Sequence, residues 1–261
     1  MKIFVINRKK DADRRVKMEE QARKLGLELT FIEAVDGYAL DDAEISAVYE
    51  ASKRLRIYGR AMTRGEIGCY LSHRKTYEMM VAQKLPRALI LEDDVVLEDN
   101  LPDCLDMIAG CSVQWDVLRF LYRKKIEKRG YRKVYPFQDG THALVRLPNA
   151  PGGTYAYMVT LQAAERLLSL TQKIWMPIDI VIGRSWATNL EAYAFMPSPI
   201  KHFDEGESVI GAARFDKTLD LTTRQKVVHK LCKPVFKFSE MGRKYAYFYG
   251  KACQDRRSIR L

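Results

Sequence analysis

An α/β fold built on a doubly wound, mostly parallel sheet is predicted by three features of this chain. The first is its opening. An apolar strand (Lys2 to Ile6) is followed by a charge-alternating helix (Asp11 to Leu25, stopped by Gly26) and a second strand (Leu29 to Ile32). That is the order of a β-α-β unit with parallel strands. The second is Ala88-Leu89-Ile90-Leu91, apolar at every position, as a strand buried on both faces must be. The third is how that run ends, in Glu92-Asp93-Asp94. In α/β sheets the carboxyl ends of the strands are where ligands bind. The two-residue period puts Glu92 and Asp94 on one face and Asp93 on the other. Glu92 and Asp94 could share one hard divalent cation and the phosphate it carries. The same acids also suit a solvated turn.

The other elements follow from periodicity and end signals. Asp41 to Lys53 reads as a surface helix. Thr63-Arg64-Gly65-Glu66 is a capping box, opening a helix through Ile67, Tyr70, Leu71, Tyr77, Met80 and Val81. A short helix (Leu101 to Ile108) and a strand (Val113 to Leu121) come next. Gly153 to Thr160 reads as a strand with Tyr155 and Tyr157 on one face. Leu161 to Leu170 is a helix, Pro177-Ile178-Asp179-Ile180 opens another, and Glu191 to Phe195 is a late strand.

Of the 261 residues, 30% are charged and 47% hydrophobic, a globular composition with room for one large domain. No apolar run is long enough to span a bilayer. The N-terminal apolar stretch reaches charge too soon for a signal peptide. Five cysteines without C-x-x-C spacing suit reduced thiols and a cytoplasmic setting. The net charge of +11 is unevenly spread: residues 212–261 hold 13 Lys/Arg against 4 Asp/Glu, so +9 of it lies there. This divides the chain into a nearly neutral body, 1–211, and a basic, aromatic-rich, helical tail, 212–261. Cations interleaved with Val227, Leu231, Val235, Phe238, Tyr245 and Tyr249 suit a membrane interface. Packing on the body is the alternative. The tail has no zinc spacing or RNA-binding signature, so no nucleic-acid partner is expected.

Six segments together resemble glycosyltransferase family 25. They are Ile6-Asn7 after the first strand, Ala34-Val35-Asp36-Gly37, Thr63 through His73, Leu91 through Val95, Gly153 through Tyr157, and Pro177-Ile178-Asp179. The resemblance covers roughly residues 1–210. The pairing of Gly65-Glu66-Ile67-Gly68-Cys69-x-Leu71-Ser72-His73 with Leu91-Glu92-Asp93-Asp94 is its specific part. Bacterial members of this family build the outer core of lipopolysaccharide and lipooligosaccharide, commonly as β-galactosyltransferases using UDP-galactose. The resemblance therefore implies a GT-A-like fold with a Rossmann-like nucleotide-binding half. It implies an inverting transfer and Mn²⁺ (or Mg²⁺) as cofactor. The partners would be a UDP-hexose donor, a lipid-linked oligosaccharide acceptor and an anionic inner-leaflet surface. The protein would be cytoplasmic and peripheral to the inner membrane.

The resemblance, together with the position and chemistry of single residues, suggests roles. Asp94, with Glu92 and a late His202, would hold the metal; Glu92 or Asp93 could instead bind the donor ribose or a metal-bound water. Asn7, Asp36, Arg64, Asp93 and Ser208 would bind the nucleotide sugar. Gly153, Tyr155 and Tyr157 would meet the acceptor. Asp179 is the candidate general base, since an inverting transfer must remove the acceptor hydroxyl proton. Each has a plainer reading: helix N-cap for Asp179, turn chemistry for Asp36-Gly37, a loop histidine for His202, core packing for the two tyrosines and for His73. Asp116 is a rival base. UDP-glucose is the alternative donor. A metal-dependent nucleotidyltransferase is a rival activity, although Asn7-Arg8-Lys9-Lys10 is no Gly-rich phosphate loop. A nucleic-acid-binding or saccharide-binding protein is the non-enzymatic alternative.

Overall fold

The structure is a computed structural model that describes residues 1–121, 127, 130–148, 152–202 and 221–258. An eight-stranded sheet runs β2-β1-β3-β8-β5-β9-β7-β6. Its strands are β1 (Lys2–Asn7), β2 (Leu29–Glu33), β3 (Arg87–Glu92), β5 (Val117–Phe120), β6 (Arg132–Pro136), β7 (Ala143–Arg146), β8 (Ala156–Thr160) and β9 (Ala192–Met196). β1 pairs in parallel with β2 and β3, and β5 with β9. β8 runs antiparallel between β3 and β5, and β7 runs antiparallel between β9 and β6. Only β8 and β7 therefore point against the rest. The sheet is mostly parallel, with its all-parallel part at the N-terminal end, as the opening β-α-β pattern predicts. A small second sheet pairs β4 (Val95–Leu97) with β10 (Ile200–His202).

Both faces of the large sheet are covered. Ile3, Val5, Leu89 and Leu91 pack with Met18 of α1 (Ala12–Lys24) and with Leu101 and Cys104 of α5 (Leu101–Ala109). Phe4, Ile6, Ala88 and Ile90 pack on the other side. They meet α4 (Arg64–Ala82), α6 (Leu161–Leu170) and α7 (Ile178–Ile182). Neighbouring residues of one strand serve opposite cores, which is why β3 reads as apolar throughout.

α4 begins with the capping box read from the sequence: Glu66 N–H donates to Thr63 Oγ1 (3.1 Å), and Thr63 N–H to Glu66 Oε2 (2.8 Å). Its glycine has a separate reason. A Cβ on Gly68 would stand 2.6 Å from both Gly37 N and Val35 O, and one on Gly37 would strike Arg64 O. The loop after β2 and the first turns of α4 thus touch backbone to backbone. Ser72 Oγ secures the contact by accepting from Val35 N–H (2.9 Å). Asp36-Gly37 is a turn, as read, but Gly37 is set by this close approach.

Two expectations are corrected, and two strands are added. The helix over Asp41 to Lys53 is two helices, α2 (Asp42–Val48) and α3 (Ala51–Tyr58). Tyr49 breaks them by forming a β-bridge with Ile174. Strands β6 and β7 lie in a stretch to which the sequence reading assigns no element. Tyr155 and Tyr157 fall in opposite cores, because Tyr155 stands just before β8.

Residues beyond 220 form α8's neighbour and clasp: α8 (Ser185–Thr188) packs against α9 (Thr223–Gly250), and α10 (Ala252–Ser258) follows. α9 also packs along α3. Glu240 takes hydrogen bonds from Arg184 (2.6 and 2.7 Å) and Trp186 (3.0 Å). Asp255, fully buried, receives Arg146 (2.9 Å) and Arg132 (2.8 Å). The tail helices are joined to the body through their few acids, which charge density along the chain conceals.

Candidate active site

Four segments meet at the carboxyl end of β3. The loop before β8 docks there through Glu92 N–H, which donates to Tyr155 O (2.8 Å). β10 lies beside β4 with His202 opposite Val95, which brings the imidazole to Asp94. α4 presents Cys69 and His73, four residues apart on one helix face. The start of α7 supplies Asp179. Cys69 feels the charges of Glu92, Asp179 and Asp94 together, and burial with those charges pushes its thiol well above the ordinary range. Three carboxylates thus gather around one thiol.

The acidic triplet divides by direction. Asp93 turns into the body, accepting from Asn7 Nδ2 (2.8 Å) and pairing with Arg14 (3.0 Å). Burial raises its carboxyl above the usual range despite those two partners. Asp94 turns to the other side: its Oδ2 is 3.3 Å from His202 Nε2 and 3.8 Å from Arg14, while Oδ1 is buried with no hydrogen-bond partner among the described residues. Glu92 follows neither. Its Oε1 accepts from Thr154 Oγ1 (2.8 Å) and lies 3.5 Å from His73 Nε2. Asp94 and His202 therefore fit a cation best: an orphaned carboxylate oxygen in a buried site is costly unless positive charge meets it.

Asp179 is held by two backbone donors. Gly153 N–H donates to Oδ2 (2.9 Å), and Ile180 N–H to Oδ1 (2.7 Å). Its carboxylate thus fastens the loop before β8 to α7. Gly153 has φ +112, a conformation natural to glycine, and its carbonyl accepts from the buried Arg119 (2.5 Å). Tyr155 packs edge-on to His202, ring centroids 5.6 Å apart.

Other candidates are placed differently from the sequence reading. Tyr157 is sealed in the core, its hydroxyl between Tyr77 Oη (2.6 Å) and His73 Nδ1 (2.9 Å), so it cannot stack on an acceptor sugar. Asp36 accepts from Tyr38 N–H (3.0 Å), and that bond with the nearby Lys10 holds its exposed carboxyl below the usual range. Arg64 is engaged by Leu40 O and Asp42 (2.6 Å). Asp116 accepts from Glu191 N–H (2.8 Å) at the amino end of β5, the sheet edge opposite the carboxyl end of β3, and that position removes it as a base. Ser208 lies outside the described residues. Arg14, Thr154 and Arg119 were not found from sequence. Only Arg119 left a signal, a charge inside the apolar run Val117-Leu118-Arg119-Phe120.

Comparison with known proteins agrees with the motifs. The family described as Glycosyltransferase family 25 (LPS biosynthesis protein) matches residues 1–182. Human procollagen galactosyltransferase 2 is 30% identical over 175 residues, 64% of this chain and 27% of that protein. A glycosyltransferase 25 family member of Drosophila melanogaster is 34% identical over 175 residues, 64% of this chain and 28% of that protein. Human inactive glycosyltransferase 25 family member 3 is 30% identical over 187 residues, 68% of this chain and 30% of that protein. The match thus spans less than a third of each relative's length. Among solved structures, an active-site mutant of LgtC aligns with a TM-score of 0.40 and 14% identity, covering 89% of this chain and 95% of that one.

Proposed function

The chain belongs to glycosyltransferase family 25, and on that premise we propose that it transfers a hexose, galactose from UDP-galactose, to a saccharide acceptor with inversion. The acceptor is a lipid-linked oligosaccharide of lipopolysaccharide or lipooligosaccharide synthesis. The observation that carries this reading is Asp94, with one oxygen beside His202 and the other buried without a partner. Asp94 and His202 would hold a divalent cation, Mn²⁺ or Mg²⁺, in a crevice already rich in carboxylates. Such a cation supplies positive charge against the charge that develops on a departing diphosphate.

The chain's own residues do the rest. Asp179 takes the acceptor proton; its two backbone bonds fix the carboxylate while each oxygen keeps a second lone pair for the incoming hydroxyl. Thr154 orients Glu92 toward the donor side. Gly153 admits a sugar close to the backbone. Arg14 balances Asp93 and Asp94 at the junction of β1 and β3.

Membrane association is supported by the outer face of α9. Val227, Leu231, Val235 and Phe238 recur at steps of four, four and three, Tyr249 follows about three turns later, and all five are 57–70% exposed. Lys230 and Lys237 flank them in the open. An apolar stripe beside lysines matches an anionic lipid surface, and lipid is where the proposed acceptor resides. On this reading the protein works in the cytoplasm at the inner membrane.

A donor screen tests the activity. Purified protein, Mn²⁺, a saccharide acceptor and a panel of nucleotide sugars are assayed for released nucleoside diphosphate. UDP-galactose should give the fastest release. Preference for UDP-glucose would replace the donor, and formation of a nucleotide sugar from a sugar phosphate would favour a nucleotidyltransferase.

A further inference from the structure

We propose that Cys69, His73 and Glu92 form a site for one thiophilic divalent cation of the Zn²⁺ type, separate from the Asp94–His202 pair. Their candidate ligand atoms, one sulfur, one imidazole nitrogen and one carboxylate oxygen, all lie within 4.8 Å of one another. The decisive member is His73. Its side chain is 1% exposed, and its Nε2 faces Glu92 Oε1 at 3.5 Å with no hydrogen-bond partner among the described residues. A buried ring nitrogen without a partner is an unmet demand. Ligands about 2.0–2.3 Å from a tetrahedral zinc stand roughly 3.3–3.8 Å apart. The His73–Glu92 separation falls in that range.

The surroundings suit the role. Tyr157 Oη holds His73 Nδ1 at 2.9 Å, and Tyr77 holds Tyr157 at 2.6 Å. A partner on the far ring nitrogen fixes the ring and leaves Nε2 to a metal. Thr154 Oγ1 donates to Glu92 Oε1 (2.8 Å), which holds that carboxylate oxygen beside His73. The i, i+4 spacing of Cys69 and His73 comes from one rigid helix, so two of the three ligands are placed before any metal arrives. A thiolate, an imidazole and a carboxylate select Zn²⁺ over Mn²⁺ or Mg²⁺, which prefer all-oxygen shells. Three protein ligands leave the fourth position open to water or a ligand from the crevice. The neighbouring Asp179 and Asp94 add negative potential that draws a cation; the same charges, with burial, oppose ionisation of the Cys69 thiol, so a bound cation is what would bring out its thiolate.

Metal-stripped full-length protein titrated with Co²⁺ tests the site. A sulfur-to-cobalt charge-transfer band should appear in the near ultraviolet and saturate at one ion per chain. Cys69→Ser should abolish the band, and His73→Gln should weaken binding by about 10-fold or more. Absence of the band in the wild type, or its survival in Cys69→Ser, overturns the proposal. A second measurement needs no variant. Alkylation of Cys69, followed by peptide mass spectrometry, should slow at least about 10-fold in Zn²⁺ and be unaffected by Mg²⁺. Equal rates in both metals would also overturn it.

Discussion

Asp94 Oδ2 stands 3.3 Å from His202 Nε2, across a pairing of two short strands that are more than a hundred residues apart in the chain. The other oxygen of the same carboxylate is buried and unpartnered. An acid so placed contributes little to the fold, because Arg14 keeps Asp93 as its nearer partner. Asp94→Ala should therefore lower transfer by about 10² or more, the scale of a lost electrostatic stabiliser, while the melting temperature holds or rises. Metal-dependent turnover near the wild-type rate would remove Asp94 from the cation site.

Asp179 offers a separation of roles. Asp179→Asn keeps an oxygen that can accept from Gly153 N–H, so the loop before β8 should stay in place. Turnover should nonetheless fall about 10²-fold or more with the base gone, and UDP affinity by calorimetry should barely change. Asp179→Ala should add a stability loss of about 1–3 kcal/mol, because Gly153 N–H is left without its acceptor. If Asn and Ala variants lose stability alike and Asn retains turnover, the residue is structural.

Gly68→Ala should destabilise the protein by roughly 1–3 kcal/mol or more, since the new methyl would stand 2.6 Å from two backbone atoms of the loop after β2. Urea unfolding reads this directly. An unchanged midpoint would mean that loop yields easily.

The docking of α9 should be sensitive to acid. Burial opposes the ionisation of Glu240, but hydrogen bonds from Arg184 and Trp186 outweigh it and hold the carboxyl below its ordinary value. A depressed carboxyl contributes stability that is present above its unfolded pKa, near 4.3, and is lost as pH falls through the folded value. Wild-type stability should thus decline below about pH 4, and Glu240→Gln should flatten that decline. Thermal unfolding from pH 6 to pH 3 measures both, and an identical acid limb in the variant would contradict the assignment.

The outer face of α9 can be altered without touching its docked face. Leu231→Glu with Phe238→Glu should cut binding to anionic vesicles by 10-fold or more, on the scale of burying two large apolar side chains, with unfolding unchanged. Wild-type binding should weaken with salt, since the lysine contribution is screened over a Debye length of about 8 Å. Vesicle binding that survives both changes would place the membrane contact elsewhere.

The sequence by itself determined the α/β class, the buried strand β3, the capping box of α4, and the gathering of acids at the end of β3, because each is written in residues a few positions apart. Periodicity and end signals are local, and so is the motif from Gly65 to His73 with its partner Leu91 to Asp94. Only the tertiary structure decided where each acid points. Asp93 belongs to Asn7 and Arg14, Asp94 to His202, and Glu92 to Thr154 and His73; those partners come from five different segments. It also decided that Tyr157 is core and that the basic C-terminal helices are clasped to the body by Glu240 and Asp255. Side-chain direction at a strand end and the pairing of buried charges depend on which distant elements pack there, and no local pattern records that.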